Sequence, residues 1–384
     1  MDRGSRFFYA LKKTRGAKKH VTCPLAEDGT PLTEPAEMCR RARVFYTSLF
    51  SLDPTDPSAC RVLWKELPTV SASDRDWLEL PLTLAEFSEA LCHMPTNKSP
   101  GMDGLTMEFY RVFWDVLGPD LVTVWAEALQ SGVLPLSCRR AVLALLPKKG
   151  DLRDLRNWRP VLLLSTDYKI VAKAISLRLR SVLGDMIHPD QTYTFPDCSI
   201  FDNLFMVRDL LELGCRDSLL FALLSLDQEM AFDRVDHGYL LSTLRAFGFG
   251  PVCGFSPGAV HFHKVSGQLY ALAIEPFLCL LRRSLTGLVL REPELRLVLL
   301  AYADDVLLII QDPGDLMWVE ACQAIYSAAS SARVYWVKSF GLAVGDWRQA
   351  SSLPPALQTI QWSAGPLLYL GIYLSATHPS PPEN

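Results

Sequence analysis

The stretch RLVLLAYADDVLLII, residues 296–310, decides how the chain folds. Two apolar runs, Arg296 to Tyr302 and Val306 to Ile310, are separated only by Ala303, Asp304 and Asp305. Runs this short and apolar predict buried strands. The whole therefore predicts a β-hairpin with two carboxylates at its turn. A third carboxylate closes another continuous apolar run, LLFALLSLD (219–227), which predicts a buried strand with Asp227 at its mouth. Three hard oxygen donors at the ends of packed strands are the ligand type that Mg²⁺ takes and that two-metal phosphoryl transfer uses. An Asp-Asp pair taken alone is more often an ordinary polar turn, so the residues around it must decide.

The rest of the chain narrows the classes. Its 384 residues, 49% hydrophobic and 21% charged, fit one large or two packed globular domains and exclude a disordered chain, a collagen and a coiled-coil rod. The ten Cys are scattered singly with no C-x-x-C pair, which disfavours zinc ribbons and a disulfide framework and fits a reducing compartment. Glu275 interrupts LYALAIEPFLCLL, and Asp304 with Asp305 interrupts the hairpin, so no run reaches the ~18 apolar residues of a membrane span. MDRGSRFFYALKK at the start lacks an apolar signal core. The expectation is a soluble intracellular protein of the nucleus or cytoplasm, with no membrane partner.

Net charge is −4, but unevenly spread. Residues 1–200 carry 26 Lys and Arg against 24 Asp and Glu, and the remainder 12 against 18. Between Arg139 and Arg180 there are eleven basic and three acidic residues. Such a segment can neutralise phosphates whatever the total charge, although a solvated basic face would look the same.

Along the chain, a basic leader over the first twenty residues precedes a Pro- and Asp-rich stretch at 51–81 that reads as a loop-rich connection. Thr83 and Glu86 make a capping-box pattern for a helix that Pro95 stops. SPGMDG predicts a turn, Leu105 to Leu117 a second helix and Leu121 to Leu129 a third. AVLALLP (141–147) and PVLLLS (160–165) predict strands on either side of a basic loop. Tyr168 to Leu183 predicts a helix with Lys169, Lys173, Arg178 and Arg180 on its outer faces.

Seven boxes then appear in order over about 97–372: NKSPGMDGLTMEFY, NWRP with LLSTDYKIVAKAISLRLR, DQTYTFPDCSIFDN, LLSLDQEMAFDRVDH, AYADDVLLII, YWVKS and LLYLGI. AYADDVLLII resembles the Y-x-D-D box of reverse transcriptases, and LLSLDQEMAFDRVDH resembles their first metal-binding motif in its non-LTR, LINE-type form. The resemblance implies an α+β right-hand polymerase fold, with fingers, an antiparallel palm sheet with packed helices, and a thumb largely absent. It divides the chain into a basic leader and linker at 1–80, fingers at 81–215, palm at 216–374 and a disordered tail at 375–384.

The implied activity is RNA-directed DNA polymerisation with two Mg²⁺ ions, taking template RNA, a DNA primer and dNTPs. Asp227, Asp304 and Asp305 match the metal-binding catalytic carboxylates, and Lys338 matches a late palm lysine suspected of passing a proton to pyrophosphate. Phe232 matches the bulky ring that excludes a ribose 2′-hydroxyl. Arg159, Lys169 and Lys173 fall in the motifs that line template and triphosphate, and Tyr302 and Ala303 lie in the Y-x-D-D box itself. Tyr369, Leu370 and Gly371 resemble the hairpin that grips the primer.

The departures are equally specific. Pro196 is followed by Asp197 and Cys198 where the family has Gly and Arg, and Met230 stands where it has Lys. Between the Asp motifs the family's Arg-Gln-Gly-Cys-Pro-Leu-Ser loop is replaced by VCGFSPGAVHFHKV, with only Ser266 and Gly267 matching, and Asp304 follows Asp227 by 77 residues. His261 and His263 lie in that stretch with no third ligand near in sequence. The expectation is a truncated and internally deleted copy with a shortened connection at about 251–266. The alternative is a non-catalytic remnant that binds nucleic acid or has no selected role.

Overall fold

The computed structural model describes residues 24–26, 28–49, 54–147, 150–195, 198–229, 231–250, 267–290, 295–348, 353, 355–363 and 366–375. Packing divides the chain into two compact units, residues 1–51 with 82–174 and residues 52–81 with 175–384.

In the first unit the capping box forms as expected. Thr83 Oγ1 accepts from the Glu86 amide and Glu86 accepts from the Thr83 amide at 2.8 Å, opening the helix Leu84–His93. The next two expected helices divide differently. One spans Met107–Val112, and the other, Trp114–Ser131, runs through Pro119. The break falls at Phe113, whose backbone leaves helical geometry and whose carbonyl accepts from both Val116 and Leu117. Pro119 removes the bond to the carbonyl four residues back, and its ring crowds that carbonyl.

Strands β1 (Ala141–Pro147) and β2 (Trp158–Leu164) pair antiparallel, from Ala141 opposite Leu164 to Pro147 opposite Trp158. The helix Thr166–Arg180 follows. Two of the boxes meet here. Lys169 Nζ donates to the Ser99 carbonyl at 3.0 Å, and Thr166 Oγ1 to the Leu105 carbonyl at 2.6 Å. Gly101 permits the approach, since a Cβ there would stand 2.6 Å from the backbone of Ser165.

The second unit holds a sheet in the order β6-β7-β3-β8-β9. Its strands are β3 (Phe221–Leu226), β6 (Leu299–Tyr302), β7 (Asp305–Ile310), β8 (Phe340–Val344) and β9 (Gln361–Ser363); β4 (Leu288–Leu290) and β5 (Leu295–Leu297) form a separate ribbon. The run expected as one strand from Arg296 to Tyr302 is thus split at Val298, because β5 pairs with β4 and only β6 joins the sheet. Pairing is antiparallel except between β8 and β9, which run parallel, a departure from the uniformly antiparallel sheet expected. Phe221 and Leu223 pack with Val207, Leu211, Leu307 and Ile309 beneath the helix Ile200–Asp217. Ala222, Leu224 and Leu226 on the opposite face are as deeply buried, so the sheet is covered on both sides. That explains runs without polar alternation. The helices Gly267–Ser284 and Asp315–Ser330 pack through a Phe277–Tyr326 stack, with centroids 4.7 Å apart.

Two sequence expectations are corrected in this unit. Residues 51–81 are not a loop-rich connection: they contain the helices Pro57–Leu63 and Ala72–Leu78. Asp56 and Ser71 cap them by accepting from the Ser58 and Asp74 amides, and Pro57 occupies a first-turn position, so the Asp-Pro pattern marks a helix start. Leu63 is fully buried. Arg178, expected on an outer face, is also buried. Its guanidinium donates to the carbonyls of Leu78, Leu80 and Pro81 and lies over the Trp77 ring at 5.6 Å. No helix among the described residues is long and apolar enough to cross a membrane.

Arg178→Ala leaves three carbonyls without their charged donor, and a bond of that kind contributes about 1.5–3 kcal/mol. Urea denaturation is expected to show a loss of about 3 kcal/mol or more, whereas Arg180→Ala, on an exposed residue, changes stability by less than about 0.5 kcal/mol.

Candidate active site

The pairing of β3 with β7 brings the separated carboxylates together. The ladder ends with Leu226 opposite Val306, so Asp227 and Asp305, the next residues on the two chains, lie at the same end of the paired strands, and the Asp227 charge is felt at Asp305. On its other side Asp305 pairs with Tyr302 across the β6–β7 hairpin, whose turn is Ala303 and Asp304. The backbone of Asp227 is fixed by its own neighbours: its carbonyl accepts from the Tyr335 amide at 2.7 Å and its amide donates to Ser339 Oγ at 3.2 Å.

Asp305 is open to solvent on one side, yet its carboxyl is pushed up to about 6, first by the protein mass around it and then by the charges of Asp304 and Asp227. Like charges crowd here. All three donors are hard oxygens, the chemistry a divalent cation of the Mg²⁺ type takes. Among the described residues, however, no three His, Cys, Asp or Glu side chains converge into a finished metal site.

A cavity of about 450 Å³ opens beside the hairpin, lined in part by Tyr302, Ala303, Asp304, Asp305, Phe232 and Leu370. Phe232 is exposed and leans its ring on Tyr270, centroids 4.4 Å apart. Tyr302 meets Tyr193 edge to face at 5.2 Å. Gly267, which opens the helix below, has no room for a side chain, because a Cβ would fall 1.9 Å from the Tyr193 ring.

Strands β10 (Leu367–Tyr369) and β11 (Ile372–Leu374) form a second hairpin, with Tyr369 opposite Ile372 and positive φ at both Leu370 and Gly371. Two such residues in a row make the tight turn that matches strand twist, and Gly accommodates the second without strain. Leu370 and Gly371 line the cavity, while Tyr369 is buried behind it.

The structure therefore brings Asp227, Asp304, Asp305, Tyr302, Ala303, Phe232 and the Tyr369–Gly371 turn into one neighbourhood. Lys338 lies in the short helical turn Trp336–Lys338, with Nζ over the Tyr335 ring at 4.7 Å. Arg159, Lys169 and Lys173 belong to the first unit: Arg159 is exposed on β2 opposite Leu146, while Lys169 and Lys173 are half-buried on their helix. Burial lowers the Lys169 pKa, with Asp103 opposing. Cys198 is exposed; Pro196, Asp197, Met230, His261, His263, Ser266 and the 251–266 connection lie outside the described residues.

Sequence reasoning missed the polar support of the hairpin. Gln191 and Asn203, both buried, bond to its backbone, and the signal was present as polar residues inside the quoted box DQTYTFPDCSIFDN. Behind them sits a buried charge cluster. Arg282 is bidentate to Asp190, at 2.8 and 2.5 Å, and reaches Glu275 Oε1 at 2.6 Å. Burial raises the Glu275 pKa above the ordinary carboxylate range despite Arg282. Burial also acts on Asp190, but His188 and Arg282 outweigh it and hold its pKa low.

Comparisons with known proteins agree in direction. The family model described as reverse transcriptase (RNA-dependent DNA polymerase) matches residues 146–339. The chain is 57% identical to the transposon TX1 uncharacterized 149 kDa protein of Xenopus laevis over 401 residues, covering 98% of this chain and 31% of the relative. It is 26% identical over 151 residues to the retrovirus-related Pol polyprotein from the type-1 retrotransposable element R2 of Popillia japonica, covering 39% of this chain and 20% of the relative. To the probable RNA-directed DNA polymerase from transposon BS of Drosophila melanogaster it is 24% identical over 177 residues, 45% of this chain and 20% of the relative. The chain thus spans less than a third of the length of these curated relatives.

Arg282→Met strands two buried carboxylates, and breaking a buried pair costs about 3–5 kcal/mol. Both carboxyl pKa values should then rise above the ~4 of an unfolded chain. A carboxyl with a raised folded pKa holds its proton in the native state, so stability falls as pH rises through the window between the two values. Thermal melts of Arg282→Met from pH 4 to 8 are expected to fall with pH more steeply than those of the parent. Adding Asp190→Asn and Glu275→Gln should flatten the slope.

Proposed function

Because the chain belongs to the reverse transcriptase family, as a non-LTR retrotransposon member, we propose that it carries the fingers and palm of a LINE-type RNA-directed DNA polymerase that keeps the three carboxylates but whose nucleotide site is impaired. The observation that supports the first half is the ladder register, which ends with Leu226 opposite Val306 and so brings the chain at Asp227 to the end of the sheet where Asp304 and Asp305 form the turn. The departures carry the second half: Cys198 and Met230 stand where the family has Arg and Lys, and only 77 residues separate Asp227 from Asp304. The alignment with the TX1 protein covers 401 residues, more than this chain contains, so that relative has residues this chain lacks.

Asp227, Asp304 and Asp305 would hold Mg²⁺ between them. Bound there, two such ions supply the charge that activates a primer hydroxyl and stabilises departing pyrophosphate. The chain's own residues do the rest. Phe232 presents its ring at the cavity, where it would exclude a ribose 2′-hydroxyl. The Tyr369–Gly371 turn would seat the primer end. Lys338 would donate a proton to the leaving group. Arg159, Lys169 and Lys173 would contact template RNA and the triphosphate through salt-sensitive phosphate contacts. Regionally, 81–215 corresponds to the fingers and 216–374 to the palm.

Primer extension on an RNA template, with Mg²⁺ or Mn²⁺, is expected to yield no product above an Asp304→Asn control, and Cys198→Arg with Met230→Lys should not rescue it. A preorganised nucleotide site needs backbone around the base as well as charges. Mn²⁺ binding, followed by water proton relaxation, should weaken at least tenfold in Asp304→Asn. Extension by the unmodified chain that Asp304→Asn abolishes would show the nucleotide site to be intact. Mn²⁺ binding indifferent to Asp304 would sink the polymerase reading as a whole.

A further inference from the structure

The carboxylate turn is held from behind by side chains outside every role assigned above. Ala303 has φ +56°, a left-handed conformation that residues other than glycine adopt only with strain. It persists in a turn that must present Asp304 and Asp305 correctly. Gln191, fully buried, brackets that one residue: its Oε1 accepts from the Ala303 amide at 3.0 Å, and its Nε2 donates to the Ala303 carbonyl at 3.2 Å. The chain just before it runs beside the same strand, where the Ala301 amide donates to the Asp190 carbonyl at 2.8 Å. Asn203, also buried, donates from Nδ2 to the Ala301 carbonyl at 3.1 Å and to the Tyr369 hydroxyl at 3.3 Å. Thr192 Oγ1 donates to Asn203 Oδ1 at 3.1 Å and orients that amide.

We propose that Gln191 and Asn203 are positioning residues, Gln191 enforcing the left-handed turn that aims the Asp304–Asp305 pair and Asn203 tying this hairpin to the Tyr369–Gly371 hairpin. The proposal rests on the polymerase reading of the carboxylates and adds the device that pre-sets them. Three features favour positioning over simple core filling. Both backbone groups of the strained residue are taken by one side chain. That side chain is fully buried, where a polar group is stable only while bonded. Asn203 reaches both functional hairpins from a single amide.

The test uses the full chain and Mn²⁺, read by water proton relaxation, with thermal melting alongside. Gln191→Ala is expected to weaken Mn²⁺ binding at least fivefold while a cooperative melt is retained. Ala303→Gly takes positive φ without strain. In the Gln191→Ala background it should recover at least half of that loss, although it adds no contact to metal. Asn203→Ala should weaken Mn²⁺ binding less than Gln191→Ala and lower affinity for an RNA-primed or DNA-primed hybrid more. If Gln191→Ala fails to fold, Gln191→Glu, which keeps the acceptor and loses the donor, takes its place with the same expectation. The clamp is refuted if Asp304→Asn weakens Mn²⁺ binding but the Gln191 variant matches the parent, or if Ala303→Gly recovers nothing. Unchanged Mn²⁺ binding in Asp304→Asn would instead refute the polymerase reading on which the clamp is built.

Discussion

The pairing of β3 with β7 is the constraint on which the rest depends. Side chains along a strand alternate between faces, so a slip of one residue would move every apolar group from one covered face to the other. Phe221 and Leu223 fill one side, Ala222, Leu224 and Leu226 the other, and Val306 to Ile310 are buried throughout. The chemistry inherits that register: Asp227 and Asp305 come to the same end of the sheet because Leu226 pairs with Val306. The carboxylates need no attraction to meet: burial first, and then the charges of Asp304 and Asp227, push the Asp305 pKa up.

Repulsion at the tip makes the support behind it intelligible. The segment His188–Thr192 receives the Arg282 fork at Asp190, bonds to the Ala301 amide and sends Gln191 to Ala303. A buried guanidinium shared by Asp190 and Glu275 is costly to desolvate and is worth little to stability as a pair. Its effect is geometric, pinning the helix Gly267–Ser284 to the loop that touches the hairpin. Glu275, which interrupts an otherwise apolar sequence run, is therefore the far anchor of the site as well as the residue that breaks that run.

What could be read in the sequence was local. The strands ending at Asp227 and flanking Asp304 stood out as unbroken apolar runs, and the Thr83–Glu86 capping box formed because its partners are three residues apart. What could not be read was set by distant partners. Arg178 looks like one more basic residue on a helix until carbonyls about a hundred residues earlier close over it. Gln191 and Ala303 are separated by 112 residues, and Asn203 and Tyr369 by 166, so no periodicity links them. The Asp-Pro pairs at 53–57 failed for a different reason: loop and helix N-cap use the same letters, and only burial of Leu63 separates the two.

The join between Gly250 and Gly267 carries a consequence of another kind. Both flanking helices, His237–Ala246 and Gly267–Ser284, are packed by their own apolar residues. The entropy of closing a loop grows only with the logarithm of its length, about 0.6 kcal/mol for each doubling. A connection of another length between these two helices would therefore shift folding stability, through closure entropy, by only about that amount.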